Sequence, residues 1–583
     1  MERSSHCIWT SRNFSRAAEL ALMTAAGVML MVFATACPPP APPLPPSPQS
    51  LPADARDACP LSPATFASWF QTGTVAKDGV VNPADSLQVL SPNCGFYQWS
   101  EQMYMWLTSP APATYGGGGG RIFDSPVFFD VSPPQPDGSR TFLPHTPGLI
   151  RAFGLRAAKV GADRLPVILD RSGRLLEIER PKLGARPMVR DASGRVVEIA
   201  HARLEKDGRP VLLDKAGKVI QTRPAESVKP SAQNRAIRTP IVREFLIDRI
   251  PIFIDPSLDV IDVEQGQAGG NGVLQAQNGS LVYYATMVND VFAYFATGTK
   301  NGGITPTPTQ FPTTQTDLTK ITTFATAHGK TFPDPNALAI EVKSSWVEAA
   351  GLPNLSSYIT MTATIPTYNQ SNPIQWIPDG QKTVQLALVG IHVVGSTAGH
   401  PEMVWATFEH FANSPRATYS YTNTSNQTIT VSQNTAATWL FSANNSSGPF
   451  NVLHMHFVPP NIESVSANPP NPPPPFTISP SDTLRVKPWG MDGTNAGSNS
   501  EIISMNNHVI GMIASGDVRN NYVMTGATWT IGGAAPNGGN EVGTNKLSNT
   551  TMETYQQGSN CFSCHTNNTT GVSHVFPFLK PLF

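Results

Sequence analysis

Prolines and glycines interrupt this chain too often for long helices. There are 55 and 46 of them in 583 residues, and charged side chains make up only 14%. Proline removes a helical hydrogen bond, and glycine costs backbone entropy inside either regular element. From about residue 250 to 550 the sequence is rich in Thr, Ser, Asn, Val and Ile, which favour strands and turns. Candidate strands cover 252–254, 281–286, 340–342, 358–365, 384–394 and 437–441. Helices are expected around 316–328 and 403–411, and over the aromatic stretch from Cys94 to Leu107. Phe96, Tyr97, Trp99, Met103, Tyr104 and Trp106 in that stretch read as core rather than as a cofactor surface. The pattern predicts a mainly β, α+β fold with an antiparallel, sandwich-like body.

Net charge is −1 at neutral pH, but it is unevenly spread. Residues 151–249 carry 22 Lys and Arg against 12 Asp and Glu, which leaves 18 against 29 elsewhere. Within this basic segment a pattern recurs: Leu165-Pro-Val-Ile-Leu-Asp170, Arg186-Pro-Met-Val-Arg-Asp191 and Arg209-Pro-Val-Leu-Leu-Asp214, each followed by a glycine turn and a second apolar run. Short apolar strands around an Asp-x-x-Gly turn predict three β-hairpins. The segment reads as an insertion, either a solvated spacer or a small sheet for an acidic partner. No aromatics interleave its charges, which argues against nucleic acid.

The first residues read as an export signal. Arg3, Arg12 and Arg16 precede an apolar run from Leu20 to Ala36 that ends in small residues. Cys37 follows at once, as in a lipidation site, so lipoprotein and plain secretion both stand. A proline-rich tether comes next. Cys59 and Cys94 are then an even remainder in an oxidising compartment, which predicts a disulfide, with two buried thiols as the alternative. The expected organisation is a signal peptide at 1–36, the tether at 37–58, main-domain segments at 59–150 and 250–547 flanking the insertion at 151–249, and a terminal segment at 548–583.

That terminal segment carries Cys561-Phe562-Ser563-Cys564-His565. Two cysteines three apart followed by histidine is the attachment pattern of haem c: each thiol takes one vinyl group and the imidazole becomes the proximal iron ligand. A redox Cys pair would want a βαβ frame, and a zinc site would want further ligands at short spacing. Only 18 residues follow His565, none of them methionine, so a sixth ligand, if there is one, is expected from upstream, with His392 and His410 as leading candidates. Met552, Met505, Met512, Met524, His508 and His574 also remain. Phe562, Phe576, Phe578, Leu579 and Phe583 supply apolar cover.

Gly380-Gln381 with Val389-Gly-Ile-His392, Trp405-Ala-Thr-Phe408-Glu409-His410, Val342-Lys343-Ser-Ser-Trp346 and Asn549-Thr-Thr-Met-Glu553-Thr-Tyr555, leading into the motif, resemble a bacterial cytochrome c family with one C-terminal haem motif. The resemblance covers 90–120 and 250–583. It implies a periplasmic or outer-membrane-anchored haem protein and electron transfer with a redox partner protein, and it brings no substrate. Two alternatives stay open: a peroxidase- or oxygenase-like haem enzyme with an open distal face, and a haem-bearing surface lipoprotein with a binding role. Electron transfer is the first expectation.

Overall fold

The computed structural model describes the chain from residue 51 onward, apart from 117–119, 133–138, 151–166, 170–174, 180, 182–183, 205–209, 223–240, 249, 262–271, 435–438, 459–460, 465–476, 492, 548, 556, 558–560, 564 and 566–567. The expected export signal, Cys37, most of the expected tether, the Asp170 turn and Cys564 lie outside the described residues.

The fold is mainly β with a few helices, built on one curled, almost entirely antiparallel sheet of 13 strands. Its central row runs Phe128–Val131, Tyr283–Asn289, Ile340–Glu348, Gln375–Thr397, His400–His410 and Tyr522–Thr530. Directly opposed residues in an antiparallel pair share a face, and that fixes two faces here. Ile391, Val393, Ala406 and Phe408 form one face and join the main hydrophobic core. The helix Cys94–Leu107 packs on it: Tyr104 stacks on Phe408 at 4.3 Å, and Phe96 on Trp529 at 4.1 Å. The aromatic stripe is therefore core. Lys343, His392, Trp405, Thr407 and Glu409 lie on the other face.

Residues 403–411, expected as a helix, instead lie almost wholly in the His400–His410 strand. It sits between two neighbours and is buried on both sides, so no polar alternation marks it as a strand. The helix expected near 316–328 is Gln315–Ala327, started by a capping box between Thr314 and Asp317. Helices Asp290–Lys300 and Ala496–Met512 had no counterpart in the sequence reading.

Cys59 and Cys94 are joined in a disulfide at the start of the aromatic helix. Residues at the end of the expected tether are folded: Arg56 N–H donates to the Thr422 carbonyl, and the Tyr421 hydroxyl to Asp54. In the basic segment, Asp191 and Asp214 each accept two backbone N–H groups from the turn that follows. Gly194 and Gly217 close those turns at φ of 82° and 75°. Val167–Leu169 and Leu175–Glu179 join a five-stranded sheet with Ile241–Ile247, Ile250–Ile254 and Val260–Ile261. Val189, Leu212, Phe245, Ile252 and Ile254 make a separate core there. No helix among the described residues is long and apolar enough to cross a membrane.

Candidate functional site

The C-terminal segment lies across the sheet face opposite the aromatic helix. That face is paved with small and polar side chains, and the segment docks on it largely through hydrogen bonds. Asn549 Nδ2 donates to Thr407 Oγ1 at 2.9 Å, and the Thr550 N–H to Glu409 Oε1 at 2.7 Å. The Ser345 and Thr551 hydroxyls are 2.7 Å apart, and the Tyr284 hydroxyl donates to the Thr551 carbonyl at 2.6 Å. Gly390 makes this approach possible. A Cβ there would sit 2.7 Å from Ser345 Oγ, 2.8 Å from Thr551 Oγ1 and 3.0 Å from Asn549 Nδ2.

Glu553 completes the docking. One oxygen accepts the Asn549 N–H at 2.7 Å, and the other meets His392 Nε2 at 3.0 Å. Burial alone would raise this carboxyl, but His392, Lys343 and the Asn549 N–H together hold it below its ordinary value. Three sequence stretches, around Lys343, around His392 and from Trp405 to Glu409, thus converge on the segment that leads to the motif.

The motif itself makes a tight turn. Cys561–Ser563 is a single 3₁₀ turn, and the His565 N–H donates back to the Cys561 carbonyl at 3.0 Å. His565 is buried, and its Nδ1 is 2.6 Å from the Val572 carbonyl oxygen. A carbonyl only accepts, so Nδ1 carries the hydrogen and Nε2 keeps the lone pair in the neutral ring. Burial first, and His574 second, push the imidazole well below its ordinary value, which favours that neutral form. The ring lies 4.0 Å from Trp405, and His574, exposed on its outer side, stacks on it at 3.8 Å.

The loop that supplies the carbonyl is itself held. Ser573 donates to Glu341 Oε2 at 2.6 Å, and Lys300 donates to the Phe576, Pro577 and Leu579 carbonyls. Phe562, Val572, Phe576 and Leu579 share a buried apolar cluster with Trp405. Phe583, also expected as cover, is largely exposed and stacks on His328 at 4.3 Å.

The two leading distal candidates are separated by the sheet. His392 lies on the motif's face. His410 is on the opposite face, stacked on Tyr358 at 3.8 Å. Its Nδ1 accepts the Ala412 N–H, so its Nε2 donates to the Ser357 carbonyl, and neither nitrogen is left for a metal. Burial pushes it down to about 3. His574 stacks flat against His565 rather than opposing its Nε2. Among the described residues no group of three or more His, Cys, Asp or Glu is placed to hold a metal ion through protein ligands alone.

Glu409 has a structural position. It pairs with Arg485 at 2.6 Å, with both side chains buried, and its other oxygen holds Thr550. Sequence reasoning did not single out Glu341, Ser573, Val572 or Arg485; no local signal ties residues this far apart to the motif. No family of known proteins, no curated protein and no solved structure matches the chain.

Proposed function

We propose that the chain is an exported single-haem cytochrome of the c type whose work is electron transfer. One observation carries the reading. The histidine of a Cys-x-x-Cys-His motif is buried with Nδ1 committed to a backbone carbonyl, the arrangement that orients a metal-binding imidazole and leaves Nε2 as the donor. The residues fit the group in two further respects. The Cys561 to His565 turn brings the first thiol-bearing residue and the ligand within one helical turn, and an apolar cluster beside it excludes water.

Haem bound here supplies one-electron chemistry. Cys561 and Cys564 hold it, and His565 presents Nε2. Val572 fixes the ring's orientation, and Glu341, through Ser573, fixes Val572. Trp405, Phe562 and Phe576 lower the local dielectric, which disfavours the more highly charged oxidised state. A second reading, a haem enzyme, is favoured by the His392–Glu553 pair, a histidine and carboxylate on the motif's face that could hold and pass a proton.

Absorption spectra of protein exported from a strain competent in haem attachment test both readings. A covalent haem spectrum that carbon monoxide leaves unchanged after reduction supports electron transfer. A spectrum that shifts with carbon monoxide supports the enzyme. Absence of haem overturns both.

A further inference from the structure

A second site lies beneath the docked segment, on the far side of Glu409 from Thr550. Arg416 and Arg485 face each other across a β-bridge and are 3% and 1% exposed. Arg485 Nη2 donates to Glu409 Oε2 at 2.6 Å. Arg416 has no carboxylate partner among the described residues. Its guanidinium carbon lies 4.6 Å from the Trp489 ring centre and 5.7 Å from that of Phe411, and these rings hold it in place.

Nε and Nη2 form one edge of a guanidinium, with two parallel N–H bonds spaced to meet the two oxygens of a carboxylate. On Arg416 both of these atoms are buried without a partner, and so is Nε of Arg485. Buried donors are nearly always satisfied, and buried charges are paired. Ordered water could satisfy the donors but brings no charge. The cluster holds two guanidiniums against one carboxylate, so it is short of one negative charge.

We propose that Arg416 and Arg485 form a buried binding site for a small monoanionic oxyanion, a carboxylate taken edge-on by Arg416. The net charge suits a monoanion, and the free fork suits its planar shape. The electrostatics agree: burial, and then Arg485, push Arg416 down to about 9, which a bound anion would reverse. The site does not rest on the haem reading, and its failure would leave that reading untouched.

The test uses the full chain, dialysed into a buffer without carboxylates. Its thermal midpoint is followed in sodium acetate and in sodium chloride of equal ionic strength. Acetate should raise the midpoint beyond chloride, with the folded-to-unfolded ratio climbing about 100-fold when acetate reaches about 100 times its dissociation constant. Arg416→Met should abolish the acetate-specific rise, and Arg416→Lys, which keeps the charge without the fork, should weaken it. Calorimetric titration of the unmodified protein reads the site without a variant: saturable one-to-one acetate binding is expected. Superimposed acetate and chloride series, or titration without saturation, overturns the proposal.

Discussion

Substituting Glu409→Gln tests whether the docked segment rests on a buried ion pair. The amide keeps the shape and can still accept the Thr550 N–H, which is 2.7 Å from the carboxylate. It cannot neutralise Arg485, whose Nη2 is 2.6 Å away. Two unit charges centred about 4 Å apart interact by about 4 kcal/mol at an effective dielectric near 20. Breaking a buried pair by removing one partner typically costs about 3–5 kcal/mol, because the other charge stays behind. Both lines of argument give a loss of about 4 kcal/mol, a large fraction of the stability of a folded protein. Urea unfolding followed by tryptophan fluorescence should show the midpoint falling by up to about 1 M, because the slope for a chain this long exceeds about 3 kcal/mol per M. Glu409→Gln with Arg485→Met returns the cluster to its original net charge and should recover over half of the loss. A single variant within about 1 kcal/mol of the parent, or a double variant less stable than the single, refutes the reasoning.

Three further outcomes follow from other parts of the fold. His145 lies between Asp124 and Asp130 at 2.8 and 3.0 Å; burial would lower it, but the two carboxylates raise it to about 9. This clamp should contribute about 3 kcal/mol at pH values below about 6.5, decline as pH rises, and be lost above about 9; thermal midpoints across that range check it, and His145→Gln should flatten the profile. Gly390→Ala pushes a methyl group into Ser345, Thr551 and Asn549, all within 3.0 Å, so it should cost about 1–3 kcal/mol and make the terminal segment sensitive to limited proteolysis. Reducing the Cys59–Cys94 disulfide, which closes a separation of 35 residues, should cost about 4 kcal/mol in the loop-entropy account, read as a drop in unfolding midpoint under reductant.

Much of the fold class was legible because it depends on local punctuation. The Cys94–Leu107 helix and the Asp-x-x-Gly turns follow from spacing within a dozen residues. The 403–411 segment misled because a strand buried on both faces loses its alternation, and Val404, Trp405, Ala406 and Phe408 are all core. The motif was visible as three positions, Cys561, Cys564 and His565, within five residues. Its supports were not, because Glu341, Trp405 and Lys300 are brought to it by pairing between distant strands and by a C-terminal segment that returns over them.

The clearest case is the pair of histidines that the sequence could not rank. A strand sends alternate side chains to opposite faces, so a one-residue difference in register decides which histidine faces the motif. His392 opposes Thr407, and His410 opposes Tyr522. His392 therefore shares a face with Trp405 and meets Glu553, whereas His410 turns into the aromatic core beside Tyr358. In haem-loaded protein, His392→Ala should change the reduced spectrum or its response to carbon monoxide, whether His392 acts as a ligand or as Glu553's proton partner. His410→Gln, which keeps one donor and one acceptor, should lower stability and leave the spectrum of the folded fraction unchanged. A spectrum that His392→Ala leaves untouched, or one that His410→Gln alters, would mean that the face assignment does not govern the haem environment.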